Sequence, residues 1–294
     1  MAHKSGFVNI IGNPNVGKST IMNVLVGERL SIITSKMQTT RHRIKGIVNG
    51  DDFQIVYSDT PGILKPNYKL QETMMRFVNT ALIDADVILY VTDVIEQPGK
   101  NQEYIERIKS SEAAVIVLIN KIDLSTQEKV LELYKYWSEQ LPLASVYAIS
   151  ATNKFGVAQI FDRILELLPD GPAYFPKDEL TDRNERFFVS EIIREKILLN
   201  YDKEVPYSVE VEVEQFKEEE KLLNLMCVIH VNRDSQKGII IGHQGKALKK
   251  VGTDARIDME EFFQKKVFLQ LYVKVNKDWR EKDRSLSGFG YDME

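Results

Sequence analysis

Between residues 7 and 151, short apolar runs alternate with stretches of helical spacing. Phe7–Ile11, Ile44–Val48, Phe53–Tyr57, Val87–Thr92, Val115–Ile119 and Val146–Ile149 read as strands. Four of them are near-continuous branched runs, the pattern of strands buried on both faces. Asn49-Gly50 separates the second from the third as a hairpin signal, so one edge of the sheet is expected to be antiparallel. Amphipathic helices fill the gaps, for example Leu70–Leu82 and Val157–Leu168. The alternation predicts a doubly wound α/β domain over residues 1–170.

Pro169, Gly171, Pro172 and Pro176 then cluster, which places a linker at 171–183. The rhythm beyond it differs. Asn184–Leu199 reads as a helix. Tyr207–Phe216 alternates, with Val209, Val211 and Val213 on one side and Glu210, Glu212 and Glu214 on the other. Leu222–Val231 is a second strand, Gln236–Lys250 and Asp254–Lys265 are helical, and Val267–Val275 is a third strand. The order α-β-β-α-α-β over 184–294 predicts a smaller α+β domain with helices on one sheet face. Glu218, Glu219 and Glu220 read as a solvated hairpin tip, and Trp279 as a packing residue.

Composition narrows the class. The 294 residues are 43% hydrophobic and 28% charged, as in globular proteins. Cys227 is the single cysteine, and four scattered histidines suggest no zinc site. A reducing, cytoplasmic setting is expected. The opening MAHKSGFVNII is too short and polar for a signal peptide, and no apolar run is long enough to span a bilayer. A peripheral contact with the inner face of the cell membrane stays open. The net charge of −4 argues against indiscriminate nucleic-acid binding, yet Arg233, Lys237, Lys246, Lys249 and Lys250 stand against a single Asp234.

Four segments at predicted strand ends carry chemistry. Gly12-Asn13-Pro14-Asn15-Val16-Gly17-Lys18-Ser19 matches G-x-x-x-x-G-K-[ST], follows the strand Phe7–Ile11 and opens a helix, with Thr20 next to it as a further GTP-binding candidate. Loop N–H groups suit an anion, Lys18 would reach the β- and γ-phosphates, and Ser19 would ligate Mg²⁺. Asp59-Thr60-Pro61-Gly62 would hold Mg²⁺ through Asp59 and sense the γ-phosphate through the Gly62 N–H. Asn120-Lys121-Ile122-Asp123 would read guanine, because Asp123 can pair N1–H and N2–H₂ and adenine lacks that donor pair. Asn120 would tie loops together and Lys121 lie along the base or ribose. Ile149-Ser150-Ala151 would bring the Ala151 N–H to guanine O6. In Gln38-Thr39-Thr40-Arg41-His42, Thr40, ahead of Thr39, would complete the Mg²⁺ shell in the GTP state. Arg41 reads as surface charge and His42 as a solvated loop residue. Lys18, Thr40 and Gly62 are the candidate catalytic residues.

On the runs GNPNVGKST, QTTRHRI, DTPG, NKID and ISA, with TDRNERFFVSEIIREKIL and the GHQG loop, the chain resembles the Era family of ribosome-assembly GTPases. The resemblance implies a P-loop GTPase domain followed by a type II KH domain. It also implies GTP and GDP as ligands, Mg²⁺ as cofactor and contact with 16S rRNA near its 3′ end. The implied activity is GTP hydrolysis during small (30S) ribosomal subunit maturation, by a monomer. In KH domains a G-x-x-G loop clamps four nucleotides of single-stranded RNA. Here that role falls to Gly242, His243, Gln244 and Gly245, with Lys237, Gly238, Lys246, Lys249 and Lys250 around them. His243 and Gln244 replace the usual basic residue of that loop. Ile63 stands where Ras-like GTPases place a water-orienting glutamine, which implies slow intrinsic turnover. Asn15 resembles the asparagine that coordinates K⁺ in some related GTPases.

Three rivals are weaker. A translational GTPase would carry β-barrel domains and histidine after the aspartate box. A tRNA-modifying GTPase would need a second chemical site. A nucleotide-sensing RNA-binding protein with negligible hydrolysis is kept open by Ile63.

Overall fold

The computed structural model describes residues 3–291. Met1, Ala2 and residues 292–294, which both domain readings included, lie outside them. The chain divides into two compact units. The first runs to Asp182 without Asn67–Leu70, and the second comprises those four residues and everything from Arg183.

In the first unit the elements are β1 (Lys4–Gly12), α1 (Lys18–Val26), β2 (Ile44–Asn49), β3 (Phe53–Asp59), α2 (Lys69–Ile83), β4 (Val87–Asp93), α3 (Gln102–Lys109), β5 (Ala114–Asn120), α4 (Gln127–Gln140), β6 (Ser145–Ala148) and α5 (Val157–Leu167). The sheet order is β2-β3-β1-β4-β5-β6. All neighbours are parallel except β2 and β3, the hairpin that Asn49-Gly50 announces. Every residue of β4 is buried, which is why its sequence shows no alternation. Thr126 caps α4 by accepting from the Lys129 N–H. The parallel strands point their C-terminal ends to one edge, where a doubly wound sheet leaves a crevice.

The Pro/Gly-rich stretch read as a linker is laced along this unit. Gly171 N–H donates to His3 O (2.9 Å), and Gln54 Oε1 accepts from the N–H groups of Tyr174 (2.7 Å) and Phe175 (2.9 Å). Farther on, Ile47 N–H donates to Leu180 O (2.8 Å), Thr181 Oγ1 to Lys45 O (2.7 Å) and Lys45 N–H to Asp182 Oδ1 (3.2 Å). Residues 180–182 therefore pair along β2, the edge strand. Pro172 and Pro176 lack N–H donors, so the strap leans on side chains such as Gln54 instead of a full ladder.

The second unit contains α6 (Glu185–Asn200), β7 (Glu210–Glu218), β8 (Leu222–Val231), α7 (Asp234–Ile241), α8 (Lys246–Phe263), β9 (Lys266–Val275) and a short α9 (Asp283–Gly288). β8 is central, antiparallel to β7 and parallel to β9. Asn184 caps α6 through the Phe187 N–H (3.0 Å). Val189, Ile193, Val209, Cys227, Ile229, Val251 and Met259 form the core between the helices and one sheet face. Burial pushes the Cys227 thiol up to about 12, as befits a packing residue. Trp279 is fully buried, its Nε1–H donating to Ser208 O (3.0 Å).

Two expectations change. The helical break falls at Gly242–Gly245 and not near residue 252: Gly242 (φ +71°), Gln244 (φ +51°) and Gly245 (φ +75°) occupy backbone conformations no helix continues through. Glu210, expected to face solvent, is buried and accepts a hydrogen bond from the Tyr291 hydroxyl (2.6 Å), because the C-terminal segment folds over that end of β7.

Candidate functional site

At the C-terminal edge of the first sheet lies a cavity of about 890 Å³. Pro14, Asn15, Gly17, Lys18, Ser19, Thr20, Thr40, Gly62 and Lys121 line it. Gly17 turns the chain from the loop into α1 with φ +100°, and a Cβ there would stand 2.2 Å from Asn120 Nδ2. A Cβ on Gly62 would meet the Pro14 backbone at 2.7 Å, so the loops after β1 and β3 approach this closely because Gly62 has no side chain, as Gly17 allows the close approach of Asn120.

Lys18 is buried under the loop, its Nζ donating to Gly12 O (3.1 Å) and Asn13 O (2.8 Å). Burial lowers its pKa from 10.5 to about 8, against the opposing pull of Asp59 and Glu96. A buried ammonium bonded only to carbonyls fits an anion arriving from the cavity.

Three oxygen ligands converge beside it. Ser19 Oγ donates to Asp59 Oδ2 (2.7 Å), Thr40 Oγ1 donates to the same oxygen (3.1 Å), and the two hydroxyls lie 2.9 Å apart. Asp59 is fully buried, and its Oδ1 has no hydrogen-bond partner. Burial raises its pKa despite the opposing pull of Lys18 and of the Ser19, Ser31 and Thr40 hydroxyls. A buried carboxylate with an unpartnered oxygen and two adjacent hydroxyls is a donor set for a hard divalent cation, so these residues fit Mg²⁺. Thr39 is turned away: its hydroxyl donates to Lys36 O (2.6 Å) and bonds Thr34 Oγ1 (2.7 Å). That separates the two threonines the sequence left adjacent.

On the other side, Asn120 is almost wholly buried. Its Nδ2 donates to Val16 O (2.9 Å) and its Oδ1 accepts from the Ala151 N–H (3.0 Å). One side chain thus ties the loops after β1, β5 and β6. The Ala151 N–H, expected on guanine O6, is committed to Asn120, because a single donor already has a protein acceptor. Ser150 is buried and its backbone closes a short turn with Phe155. Asp123 is exposed, two residues past Lys121. Lys121 (φ +60°) pairs with Asp93 (2.6 Å) and donates to Asn15 O.

Some residues fall elsewhere than expected. Arg41 and His42 are buried, not solvated: the chain enters β2 beneath α2, where His42 faces the Phe77 ring at 6.3 Å. Thr60 turns inward, its hydroxyl donating to Ile10 O (2.7 Å), so it holds the loop and does not face the cavity. Glu96, which the motifs do not mark, enters the site. Asn13 Nδ2 donates to Glu96 Oε2 (2.8 Å) and Thr92 to Oε1 (2.5 Å), and burial raises the Glu96 pKa. Its signal was positional, since it follows β4 at the same sheet edge.

In the second unit, Gly242-His243-Gln244-Gly245 separates α7 from α8. His243, Gln244, Lys246, Lys249 and Lys250 are exposed, Lys237 is half-buried, and Gly238 is an exposed residue inside α7. Beside the loop, Leu248, Lys249, Gly252, Arg256, Leu269 and Leu271 line a groove of about 360 Å³ between α8 and β9. A Cβ on Gly242 would meet Ala247 Cβ at 2.6 Å, whereas nothing lies within 4 Å of one on Gly245. Gly242 is therefore needed for the turn, and Gly245 keeps the backbone open to a ligand. The sequence shows Val267–Val275 only as a strand, and the apolar floor emerges where Leu269 and Leu271 meet α8.

Fold and site together define a P-loop GTPase joined to a KH module. Residues 7–121 match the family described as 50S ribosome-binding GTPase, and residues 204–280 match the KH domain. GTPase Era of Clostridium kluyveri is 44% identical over 290 residues, 98% of this chain and 99% of the relative. GTPase Era of Syntrophus aciditrophicus is 45% identical over 98% of this chain and 95% of its own length. The chain belongs to the GTPase Era family. Two solved structures superpose with a TM-score of 0.94 over 99% of this chain and all of theirs. One, 37% identical, is Era in complex with MgGDPNP and nucleotides 1506–1542 of 16S ribosomal RNA. The other, 38% identical, is a variant of Aquifex aeolicus Era bound to GDP·AlF4⁻.

Proposed function

We propose that this protein is a GTP-hydrolysing switch that binds 16S rRNA through its KH unit and acts in small-subunit assembly in the cytoplasm. The observation that carries the switch is the bonding of Thr40 to both Ser19 and Asp59. Thr40 stands on the loop before β2, so nucleotide state and loop position are linked through one hydroxyl. The relative's complex with 16S rRNA favours the small subunit over the 50S particle in the G-domain family's description.

Ser19, Thr40 and Asp59 would hold Mg²⁺, which neutralises charge on the β- and γ-phosphates. Lys18 supplies a fixed cation, and Gly62, which lines the cavity, would sense the γ-phosphate through its N–H. Ile63 contributes no side chain: it is 3% exposed, with its N–H donated to Gly12 O (3.1 Å). Turnover in isolation is therefore slow. Potassium is a fitting accelerator, since Asn15 is exposed at the cavity mouth with its amide donating to Ser35 O (2.8 Å). K⁺ and Na⁺ buffers giving equal rates would remove that part.

The test is crosslinking of the intact protein to purified 16S rRNA with GTP, GDP or no nucleotide, beside phosphate release with and without RNA. Gln244→Asp adds charge at an exposed loop position without the crowding that a side chain on Gly242 would create against Ala247. It is expected to abolish the crosslink while leaving basal hydrolysis intact. Retained crosslinking would refute the KH assignment.

A further inference from the structure

β9 is an edge strand whose two faces meet different surroundings. Leu269 and Leu271 turn toward α8 and floor the groove. Lys266, Phe268, Gln270, Tyr272 and Lys274 turn the other way and are all exposed. Phe268 is 53% exposed and Tyr272 51%, and among the described residues no helix covers them. In register beside them on β8 are Asn224, opposite Phe268, and Met226, opposite Gln270, with Gln215 of β7 beyond Met226.

Much of the rest of this face is covered or neutralised. Phe289 packs on the His230 ring at 5.0 Å and Tyr291 bonds Glu210, so the C-terminal segment closes one end. Three acids of the β7–β8 hairpin are engaged: Glu212 with His230 (2.8 Å), Glu218 with Lys265, and Glu219 with Lys217 (3.2 Å). Along β9 itself, the solvent-facing row holds two lysines and no acid, and of the two Lys266 is shared with Glu260 of α8 (3.4 Å). Aromatics spaced along a strand, amides between them and lysines at the ends are the chemistry of a base-stacking platform. Four residues of strand separate the rings by about 13 Å, so each can take its own base.

We propose that this face is a second contact surface for single-stranded RNA. Phe268 and Tyr272 stack bases of a strand that leaves the Gly242–Gly245 groove and passes around the free edge of β9. The proposal rests on the RNA-binding reading of that groove. A clamp of four nucleotides fills the loop, so only a longer RNA reaches the second face.

The experiment compares binding of a tetranucleotide and a single-stranded RNA about three times as long to the full chain by fluorescence anisotropy. Phe268→Ala with Tyr272→Ala, both at exposed positions, is expected to weaken the longer RNA roughly tenfold or more and the shorter less than about twofold. Phe268→Trp with Tyr272→Ala should restore most of the binding that the double alanine variant loses. With 4-thiouridine in the longer RNA, adducts should map to Phe268 or Tyr272. If the double variant binds the longer RNA as the parent does while Gln244→Asp loses both RNAs, the second face is refuted and the groove stands. If the parent binds neither RNA, both fall. Crosslinks from this face to a ribosomal protein and not to RNA would also overturn the proposal.

Discussion

Asn120→Ala removes the tie at the centre of the nucleotide site. The side chain is 2% exposed and makes two good hydrogen bonds, to Val16 O at 2.9 Å and from Ala151 N at 3.0 Å. Truncation leaves a buried acceptor and a buried donor unpaired. Each such group costs roughly 1–3 kcal/mol, and water entering from the open cavity recovers part of that, so a net loss of about 2–4 kcal/mol is expected. Val16 and Ala151 belong to loops that meet the nucleotide, so most of the loss should appear as affinity. At about 1.4 kcal/mol per decade, GDP binding should weaken by about 30- to 1000-fold. Titration calorimetry with GDP measures it, and far-UV circular dichroism confirms the fold. Asn120→Asp keeps the acceptor for Ala151 but sets a carboxylate against Val16 O, and it should bind no better than the alanine variant. A folded Asn120→Ala protein with GDP affinity within about threefold of the parent would refute the reasoning.

Lys18 predicts a pH dependence. Its pKa is about 8 in the free site, and a phosphate in the loop favours the ammonium and raises that value. Below about pH 8 the group is charged in both states and affinity is flat. Above it, binding must take up a proton, so affinity should fall by up to about tenfold per pH unit, and proton uptake in calorimetry near about pH 9.5 but not near about pH 7 checks this. Gly62→Ala places a Cβ 2.7 Å from Pro14 backbone atoms and must displace the loop. Single-turnover hydrolysis should drop at least about tenfold with GDP affinity within about threefold, and an unchanged rate would remove Gly62 from the γ-phosphate. Trp279→Ala opens a cavity under the C-terminal segment and should destabilise the second unit by about 3–5 kcal/mol. Trp137, the other tryptophan, reports the first unit by fluorescence, whose transition should stay in place.

The strands and the phosphate loop were legible because burial on both faces writes itself as unbroken Val/Ile/Leu runs and because close backbone approach admits only glycine. What escaped needed partners from afar. Arg41 and His42 look solvated beside polar neighbours, yet the entry to β2 places them under α2. Glu210 sits in perfect alternation with exposed glutamates, and its burial rests on partners far along the chain, among them the Tyr291 hydroxyl 81 residues on and the buried charge of Arg194. Glu96 lies in no motif and joins the site because Asn13 reaches it across the sheet edge. Gly252 and Gly242 look alike as letters. One sits quietly inside α8 and the other breaks the helix, a difference set by φ and by Ala247.

The strap leaves only Arg183 and Asn184 between Asp182, paired on β2, and Glu185, the first residue of α6. A flexible connector behaves as a polymer whose ends wander with the square root of its length. Two residues beyond a hydrogen-bonded anchor have little such slack, since even fully extended they span only about 7 Å. Lengthening this stretch with glycine and serine would give its ends that freedom, because each added residue lies beyond the last hydrogen bond to β2.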